Sequence, residues 1–299
     1  MAAGERAWNT KTMSHPALPA PSRTLDRVPP PLFFMVSAVF HYLGPAFAVM
    51  LFAHVAPLGV AWLRIASAAV VFAVWRRPWV YARRLSVADR WTVVGLGLVL
   101  AAMNSLFYLA IARLPLATVG AIEFLGPIGL AAFGARSGRN VAALFLAAVG
   151  VYSLTELQLE SAALGYVFAF ANCGLFVLYI VLGHRISGAG GIDRLGCAML
   201  VAMLVALPIG IADARPALMD PVLLAAAVGV GISSSVIPYV TDQLAMARLP
   251  RATFALLLSL LPATATIIGF VVLHQAPSLR DLVGIALVML GVALHRPQA

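Results

Sequence analysis

The sequence predicts an all-α, polytopic membrane protein in which ten transmembrane helices form two inverted five-helix repeats. The first observation is composition: the 299 residues are 62% hydrophobic and only 10% charged, against about 25% charged residues in soluble domains. The second is that the apolar residues fall in blocks of about twenty, the length that a helix needs to cross about 30 Å of hydrocarbon. The third is an internal repeat at a fixed offset.

Hydropathy divides the chain into a polar N-terminal segment and ten apolar segments. The apolar segments cover residues 32–52, 57–75, 91–112, 116–134, 141–155, 163–183, 195–212, 222–247, 252–272 and 279–295. Residues 1–30 are polar and rich in proline, without the apolar region of a signal peptide, so we expect a disordered cytoplasmic tail. The two predicted repeats are then 31–160 and 161–299.

The positions of lysine and arginine predict the orientation. With ten spans, sixteen basic residues lie on one side and only Arg113, Arg215 and Arg280 on the other, while Arg64 falls inside a span. Cytoplasmic loops carry an excess of Lys and Arg, so we expect both termini in the cytoplasm. Because the arginines are scattered over short loops and form no single basic face, the net charge of +9 does not indicate nucleic-acid binding.

A nine-residue segment recurs in the second half of the chain. Ala110–Thr118 reads AIARLPLAT and Ala245–Thr253 reads AMARLPRAT, an offset of 135 residues. Each copy lies between the third and fourth helix of its half. Because each half has an odd number of spans, the copies enter the membrane from opposite sides. Such inverted repeats are typical of secondary transporters, whose substrate site lies near the midplane.

Two fully charged residues are predicted well inside the spans, Arg64 in the second helix and Glu123 in the fourth. A charge at the bilayer centre costs about 2.5–3.5 kcal/mol on insertion scales, so each should face a partner or a cavity. We interpret Glu123 as a substrate-binding or coupling residue. The alternative is a structural ion pair with Arg64, which we interpret as the more structural of the two charges.

Proline is predicted to break four helices. The breaks are at Pro45, Pro127, Pro238 and Pro262. Because proline cannot donate to the carbonyl four residues earlier, the carbonyls of His41, Glu123 and Ser234 lose their usual partner. Backbone of this kind is tolerated at membrane depth only where protein or water satisfies it, which makes these positions candidate binding elements. Simple kinks are the alternative.

Polar pairs in the two halves predict the walls of one cavity. Asn104 and Tyr108 share a helical face, and Tyr239 and Gln243 are their counterparts across the 135-residue offset. Asn172 adds a polar group from the sixth helix. The candidate substrate-binding or coupling residues are therefore Glu123, His41, Asn104, Tyr108, Asn172, Ser234 and Tyr239. Interhelical hydrogen bonding worth about 0.6–2 kcal/mol is the alternative for His41 and the two asparagines.

Sequence motifs for metal binding, phosphate binding and nucleophilic catalysis are absent. The sequence contains no His-Glu-x-x-His, no Gly-rich phosphate loop, no metal-spaced cysteine pairs and no Gly-x-Ser-x-Gly. An ATP-driven pump and an intramembrane metalloprotease are therefore disfavoured. We expect a protein that is not an enzyme and has no metal site.

The motifs at the third and fourth helices of each half carry a family resemblance. They read MNSLFYL from Met103, IEFLGP from Ile122, and ARLPRATF from Ala247. With these motifs the chain resembles the EamA-type branch of the drug/metabolite transporter superfamily, most closely the bacterial threonine/homoserine exporter group. Glu123 and the pair Asn104 and Tyr108 match the family's polar motif.

The resemblance implies an inner-membrane secondary transporter that needs no cofactor and exports amino acids or related metabolites. Its partners would be a small-molecule substrate, protons and the lipid bilayer, and it would act as a monomer or homodimer. Relatives often carry a Glu before the proline of the ninth helix and a Gly-Glu pair at its end. Here Leu261 precedes Pro262, and His274-Gln275 replaces the pair, so any proton-coupling role of those carboxylates is open in this chain.

The sequence thus predicts export by alternating access around a cavity lined by the third, fourth, eighth and ninth helices plus the first and sixth. A multidrug or cation exporter, or a metabolite importer, would need the same architecture. A non-transporting scaffold or sensor is the rival class, although a sensor should carry a soluble signalling domain and the longest predicted non-membrane stretch is the N-terminal tail. The substrate's identity, the direction and the energy coupling stay open.

Overall fold

The computed structural model describes residues 28–134, 138–154, 159–188, 190–249, 254 and 261–294, and every regular element in these ranges is a helix. We number the longer helices in chain order. They are α1 (Pro30–Leu51), α2 (Pro57–Arg76), α3 (Val87–Ile111), α4 (Leu116–Gly134), α5 (Gly138–Leu154), α6 (Leu159–Ile186), α7 (Gly191–Gly210), α8 (Pro221–Met246), α9 (Leu261–Leu273) and α10 (Leu279–Leu294). Short helices Pro78–Ala82 and Arg215–Met219 lie in two of the connections.

Local sequence signals fix where several helices begin. Helices α1, α2 and α8 start with proline, whose missing N–H is not needed in the first turn. Ser86 caps α3 by accepting a hydrogen bond from the Asp89 amide at 3.1 Å. Asp220 caps α8 by accepting from the amides of Val222 and Leu223. In a described connection such as residues 52–56, one helix therefore stops and the next starts without a long loop.

Six of the described helices are long and apolar enough to cross a membrane. They are α1, α2, α3, the Ala162–Ile186 part of α6, α7 and α8. Shorter apolar stretches occupy Leu116–Pro127, Gly138–Gly150 and Leu261–Leu273. Large apolar side chains such as Phe47, Val74 and Phe270 point outward, as expected of a surface that meets lipid. The protein is therefore a polytopic all-α membrane protein.

Among the described residues, every helix of the first half contacts at least one helix of the second. Helix α2 packs on α7, α5 on α10, and α4 on α9, while α3 contacts both α6 and α7. Helix α1 crosses α8 and α9. This arrangement encloses the polar side chains of α1, α2, α3, α4, α6 and α8.

Helix α8 changes its winding near its middle. Residues Ile232–Val236 form a π-helical turn, directly before Pro238. Such turns are rare and occur often at functional sites. Gly44 of α1 lies against this turn, and a Cβ atom at Gly44 would come within 2.7 Å of the Ser234 Cα. Only glycine allows this close crossing of α1 and α8.

The predicted segments agree with the described helices to within a few residues. The largest differences at described helix starts are at α3, α6 and α7, which begin at Val87, Leu159 and Gly191 instead of 91, 163 and 195. Most of the predicted tail, the start of the ninth segment and the last five residues lie outside the described ranges.

Candidate functional site

A small polar cavity lies where six helices of both halves meet. Its polar lining consists of His41, Arg64, Asn104, Glu123, Asn172 and Tyr239. Met103 and Phe107 supply the apolar part of the wall. Five of the seven predicted binding residues therefore line one space. The cavity also contains Arg64 of α2, a helix that was not predicted to contribute, and none of the described residues of α9 lines it.

Glu123 is the centre of a hydrogen-bonded group on one side of the cavity. Its side chain is only 3% exposed. The Tyr42 hydroxyl donates to Oε2 at 3.1 Å, and the Asn172 amide donates to Oε1 at 2.9 Å. The His41 Nε2 atom lies 3.7 Å from Oε2, within ion-pair distance when the imidazole is protonated. Helices α1 and α6 thus hold the carboxylate in place with hydrogen bonds of the stronger, charge-assisted kind.

Glycine and proline next to Glu123 allow the neighbouring helix to approach. A Cβ atom at Gly126 would lie 2.9 Å from the Cys173 carbonyl oxygen. Helices α4 and α6 therefore cross closely at this point, and the crossing brings Asn172 within reach of Glu123. Tyr42, the residue after His41, was not predicted as a site residue.

The predicted alternative of an ion pair between Arg64 and Glu123 is absent from the structure. Arg64 is 3% exposed, yet its guanidinium donates from Nε to the Ser235 hydroxyl at 2.7 Å and from Nη2 to the Ser234 carbonyl at 2.5 Å. It makes no ion pair with Glu123. The physical reason is Pro238, which leaves the Ser234 carbonyl without its helical donor, so that this carbonyl attracts the cation. The rings of Tyr108 and Tyr239 flank the guanidinium at 5.4 and 6.0 Å.

Asn104 and Tyr239, predicted on opposite walls, contact each other. The Asn104 amide nitrogen lies 3.2 Å from the Tyr239 hydroxyl, which is 3.3 Å from the Asn104 Oδ1 atom. The two residues are 135 positions apart, the offset of the sequence repeat. Tyr108 is fully buried behind Arg64 instead of lining the cavity. Gln243 lies away from it, 3.5 Å from the Gly183 carbonyl.

A further buried carboxylate inside a span was missed, besides the two charges that were predicted well inside the spans. Asp242 of α8 is 4% exposed. The Ser37 hydroxyl donates to its Oδ1 atom at 2.5 Å and the Tyr179 hydroxyl to Oδ2 at 2.9 Å. Asp242 was overlooked because it lies near the end of a long apolar segment, although its neighbours Thr241 and Gln243 are also polar.

The predicted helix breaks have different outcomes. Helices α1 and α4 continue through Pro45 and Pro127, so these predictions were wrong: one lost hydrogen bond is not enough to interrupt either helix when its neighbouring turns remain packed. At Pro238 the preceding turn is π-helical. Pro262 lies in the first described turn of α9, and residues 255–260 before it are outside the described ranges.

Gln275 has a structural contact where relatives were expected to carry a carboxylate. Its side-chain oxygen accepts a hydrogen bond from the Leu116 amide at 3.2 Å, in the first turn of α4. A neutral amide is sufficient for this role.

In the part of the chain that the structure describes, no group of three or more His, Cys, Asp or Glu residues is placed to hold a metal ion.

Comparison with known proteins identifies relatives of this chain. The model of the EamA-like transporter family matches residues 163–295. The threonine/homoserine exporter RhtA of Salmonella typhimurium strain LT2 is 30% identical over 261 residues, which cover 86% of this chain and 88% of the relative. RhtA of Escherichia coli K12 is 31% identical over 235 residues, covering 78% and 79%.

A solved crystal structure has a similar fold, with a TM-score of 0.61, 20% sequence identity, and coverage of 89% of this chain and 95% of the other. The likeness at this identity concerns the fold alone. The identity with the two exporters extends over most of each chain, which confirms the family resemblance read from the motifs. The protein is accordingly a membrane transporter and not an enzyme. By its sequence, this chain belongs to the EamA-like transporter family.

Proposed function

We propose that the protein exports threonine, homoserine or closely related amino acids across the bacterial inner membrane by alternating access. The observation that carries this proposal is the cavity between the two halves, with Glu123 on its wall. The relatives that are 30–31% identical over most of this chain are threonine/homoserine exporters, which favours an amino acid over the substrates of a multidrug exporter.

Glu123 is assigned to the ammonium group of the substrate. Each of its oxygen atoms accepts one short hydrogen bond from the protein, from Tyr42 or Asn172. A carboxylate has about four acceptor positions, so both oxygens keep capacity for a further donor. An ammonium group would also balance the buried negative charge. When no substrate is bound, a proton on Glu123 or His41 would do the same, which is a physical basis for exchange of protons against substrate.

The architecture that we propose is the ten-helix inverted repeat, with repeats 31–160 and 161–299. The two copies of the sequence repeat end their helices in the same way: the Leu114 amide donates to the Ala110 carbonyl at 2.9 Å, and the Leu249 amide to the Ala245 carbonyl at 2.8 Å. Exchanging the halves converts the α3–α6 contact into the α8–α1 contact and α4–α6 into α9–α1, and all four occur. These matches support a pseudo-two-fold axis.

Asn104 and Tyr239 support the position of that axis. Two residues related by a two-fold axis meet each other only where they lie next to it, and these two side chains are in contact. The axis would then pass through the cavity wall. A site on such an axis can be exposed to either side of the membrane when one half rocks against the other. The charge distribution supports cytoplasmic termini.

The proposal is tested by efflux from cells. Cells loaded with labelled threonine or homoserine should lose the label faster when they express the protein, and their intracellular amino-acid pool should fall. Arg76→Gln provides a control, because Arg76 pairs with Asp193 at the end of α2, away from the cavity. Equal efflux with and without the protein, at confirmed membrane abundance, would contradict export of these amino acids.

A further inference from the structure

We infer that Arg64 binds the carboxylate of the transported molecule, so that the cavity selects zwitterions through two fixed charges of opposite sign. This inference rests on the proposed function. It gives Arg64 a binding role, whereas the sequence had suggested a structural one. Arg64 and Glu123 both line the cavity, and they do not pair with each other. The cavity lining therefore includes one cation and one anion that are not paired with each other.

The protein holds Arg64 rigidly but leaves part of it unused. Its Nε and Nη2 atoms donate to Ser235 and to the Ser234 carbonyl. A guanidinium has five N–H donors in a planar fork, so three donors remain after these two bonds. The Nη1 and Nη2 side of the fork has the geometry that a carboxylate accepts with two parallel hydrogen bonds.

The charge of Arg64 also lacks a balancing partner. Within the described ranges, no carboxylate oxygen lies within 4.0 Å of its guanidinium. The three buried carboxylates of the described residues have other partners. Glu123 accepts from Tyr42 and Asn172, Asp242 accepts from a serine and a tyrosine, and Asp193 pairs with Arg76. A buried charge without a counter-ion is unfavourable, and the two tyrosine rings beside Arg64 offset only part of that cost. An anionic group entering the cavity would complete the balance.

The structure around Arg64 explains why the position is fixed. Pro238 leaves the Ser234 carbonyl free, the π-helical turn presents it towards α2, and Gly44 lets α1 press against the same turn. Three features of two helices thus converge on one acceptor for Arg64. A guanidinium fixed in this way loses little conformational freedom when a ligand binds, which favours affinity. A side chain needed only to join α2 to α8 would not have to line the cavity.

The test measures selectivity, which a purely structural arginine would not change. Purified protein in liposomes is loaded with unlabelled threonine, and the entry of labelled threonine by exchange is inhibited with threonine, threonine methyl ester or 2,3-dihydroxybutyrate. The ester keeps the ammonium group and lacks the carboxylate charge, and the acid keeps the carboxylate and lacks the ammonium group. For the wild type we expect each analogue to inhibit at least about tenfold more weakly than threonine, as expected for loss of one charged hydrogen-bond partner.

In Arg64→Gln the preference for threonine over its methyl ester should fall towards unity, while the preference over the acid remains. Arg64→Lys, which keeps the charge and loses the fork, should keep part of the first preference and provides a second variant if the glutamine variant folds poorly. Arg76→Gln should behave as the wild type. A folded Arg64→Gln variant that keeps the wild-type preference for threonine over its methyl ester would overturn the inference about Arg64 but not the proposed function. Equal inhibition of the wild type by threonine and by its methyl ester would have the same consequence. A wild type that exchanges no amino acid would overturn the proposed function as well.

Discussion

Replacing Glu123 by glutamine separates a transport role from a structural role. Glutamine keeps the size of the side chain and one oxygen acceptor. The Asn172 amide can continue to donate to that oxygen, and the Tyr42 hydroxyl, which donates to Glu123 at 3.1 Å, can rotate to accept from the new amide. Every hydrogen bond at the site can therefore be replaced. The negative charge is the only property lost.

The expected magnitudes follow from these contacts. Two charge-assisted hydrogen bonds become neutral ones, a loss of about 1 kcal/mol each, and the carboxylate no longer has to be desolvated, which offsets much of that loss. The free energy of unfolding should change by no more than about 2 kcal/mol. Removing one partner of a buried ammonium–carboxylate pair costs about 2–5 kcal/mol, and 2 kcal/mol corresponds to about a 30-fold lower transport rate at low substrate concentration.

The assay is threonine exchange by purified protein in liposomes, together with thermal unfolding of the same preparation in detergent. We expect Glu123→Gln to unfold near the wild-type temperature and to exchange threonine at least about 30-fold more slowly. Exchange at the wild-type rate by folded Glu123→Gln would refute the reasoning that this carboxylate binds the substrate. Unfolding of the variant in step with its loss of exchange would refute the claim that its contacts can be replaced.

The remaining predictions concern the neighbours of the cavity and the orientation. Tyr239→Phe removes the hydroxyl shared with Asn104 and should lower stability by about 1 kcal/mol and threonine affinity in the exchange assay, whereas an unchanged affinity would remove Tyr239 from the site. Asp242→Asn should change the free energy of unfolding as little as Glu123→Gln, because one of the Ser37 and Tyr179 hydroxyls can go on donating while the other accepts from the new amide, and it should keep the wild-type preference for threonine over its methyl ester; a changed preference would place Asp242 in substrate recognition. Gly44→Val should reduce membrane abundance, since its Cβ would meet the Ser234 backbone, while Gly174→Val, with nothing within 4 Å of its Cβ, should not; equal abundance would contradict the close crossing of α1 and α8. Reporter fusions after Arg296 and within residues 83–86 should report the cytoplasm, and an external signal after Arg296 would contradict the ten-span topology.

The sequence predicted the helices well because their signals are local. Blocks of apolar residues, and prolines at helix starts, can be recognised without knowing which helices pack against each other. The described helix bounds follow these signals closely. Glu123, His41 and Asn172 were also predictable, because a charge or a strong hydrogen-bonding group in an apolar helix has few acceptable positions other than a polar interior. The structure brings these three together, although the helices that carry them are far apart in the sequence.

The predictions that failed concern contacts between helices. The role of Arg64 depends on the crossing of α2 with the π-helical turn of α8, and nothing in the sequence near Arg64 signals that crossing. The freed Ser234 carbonyl was recognised, but the residue that would use it was not. Asp242 was hidden by the apolar residues of the same segment, and its partners Ser37 and Tyr179 belong to two other helices. Polar partners in a membrane protein are chosen by packing, which a single sequence does not contain.

Binding of an amino acid between Glu123 and Arg64 is central both to the proposed function and to the role inferred for Arg64. The most direct measurement is an experimental structure of the protein solved with threonine. We expect density for threonine in the cavity, its ammonium nitrogen within hydrogen-bonding distance of the Glu123 carboxylate and its carboxylate against the Arg64 guanidinium. Threonine bound elsewhere, or bound in the cavity with its carboxylate turned away from Arg64, in a protein that exchanges threonine in liposomes, would contradict the claim.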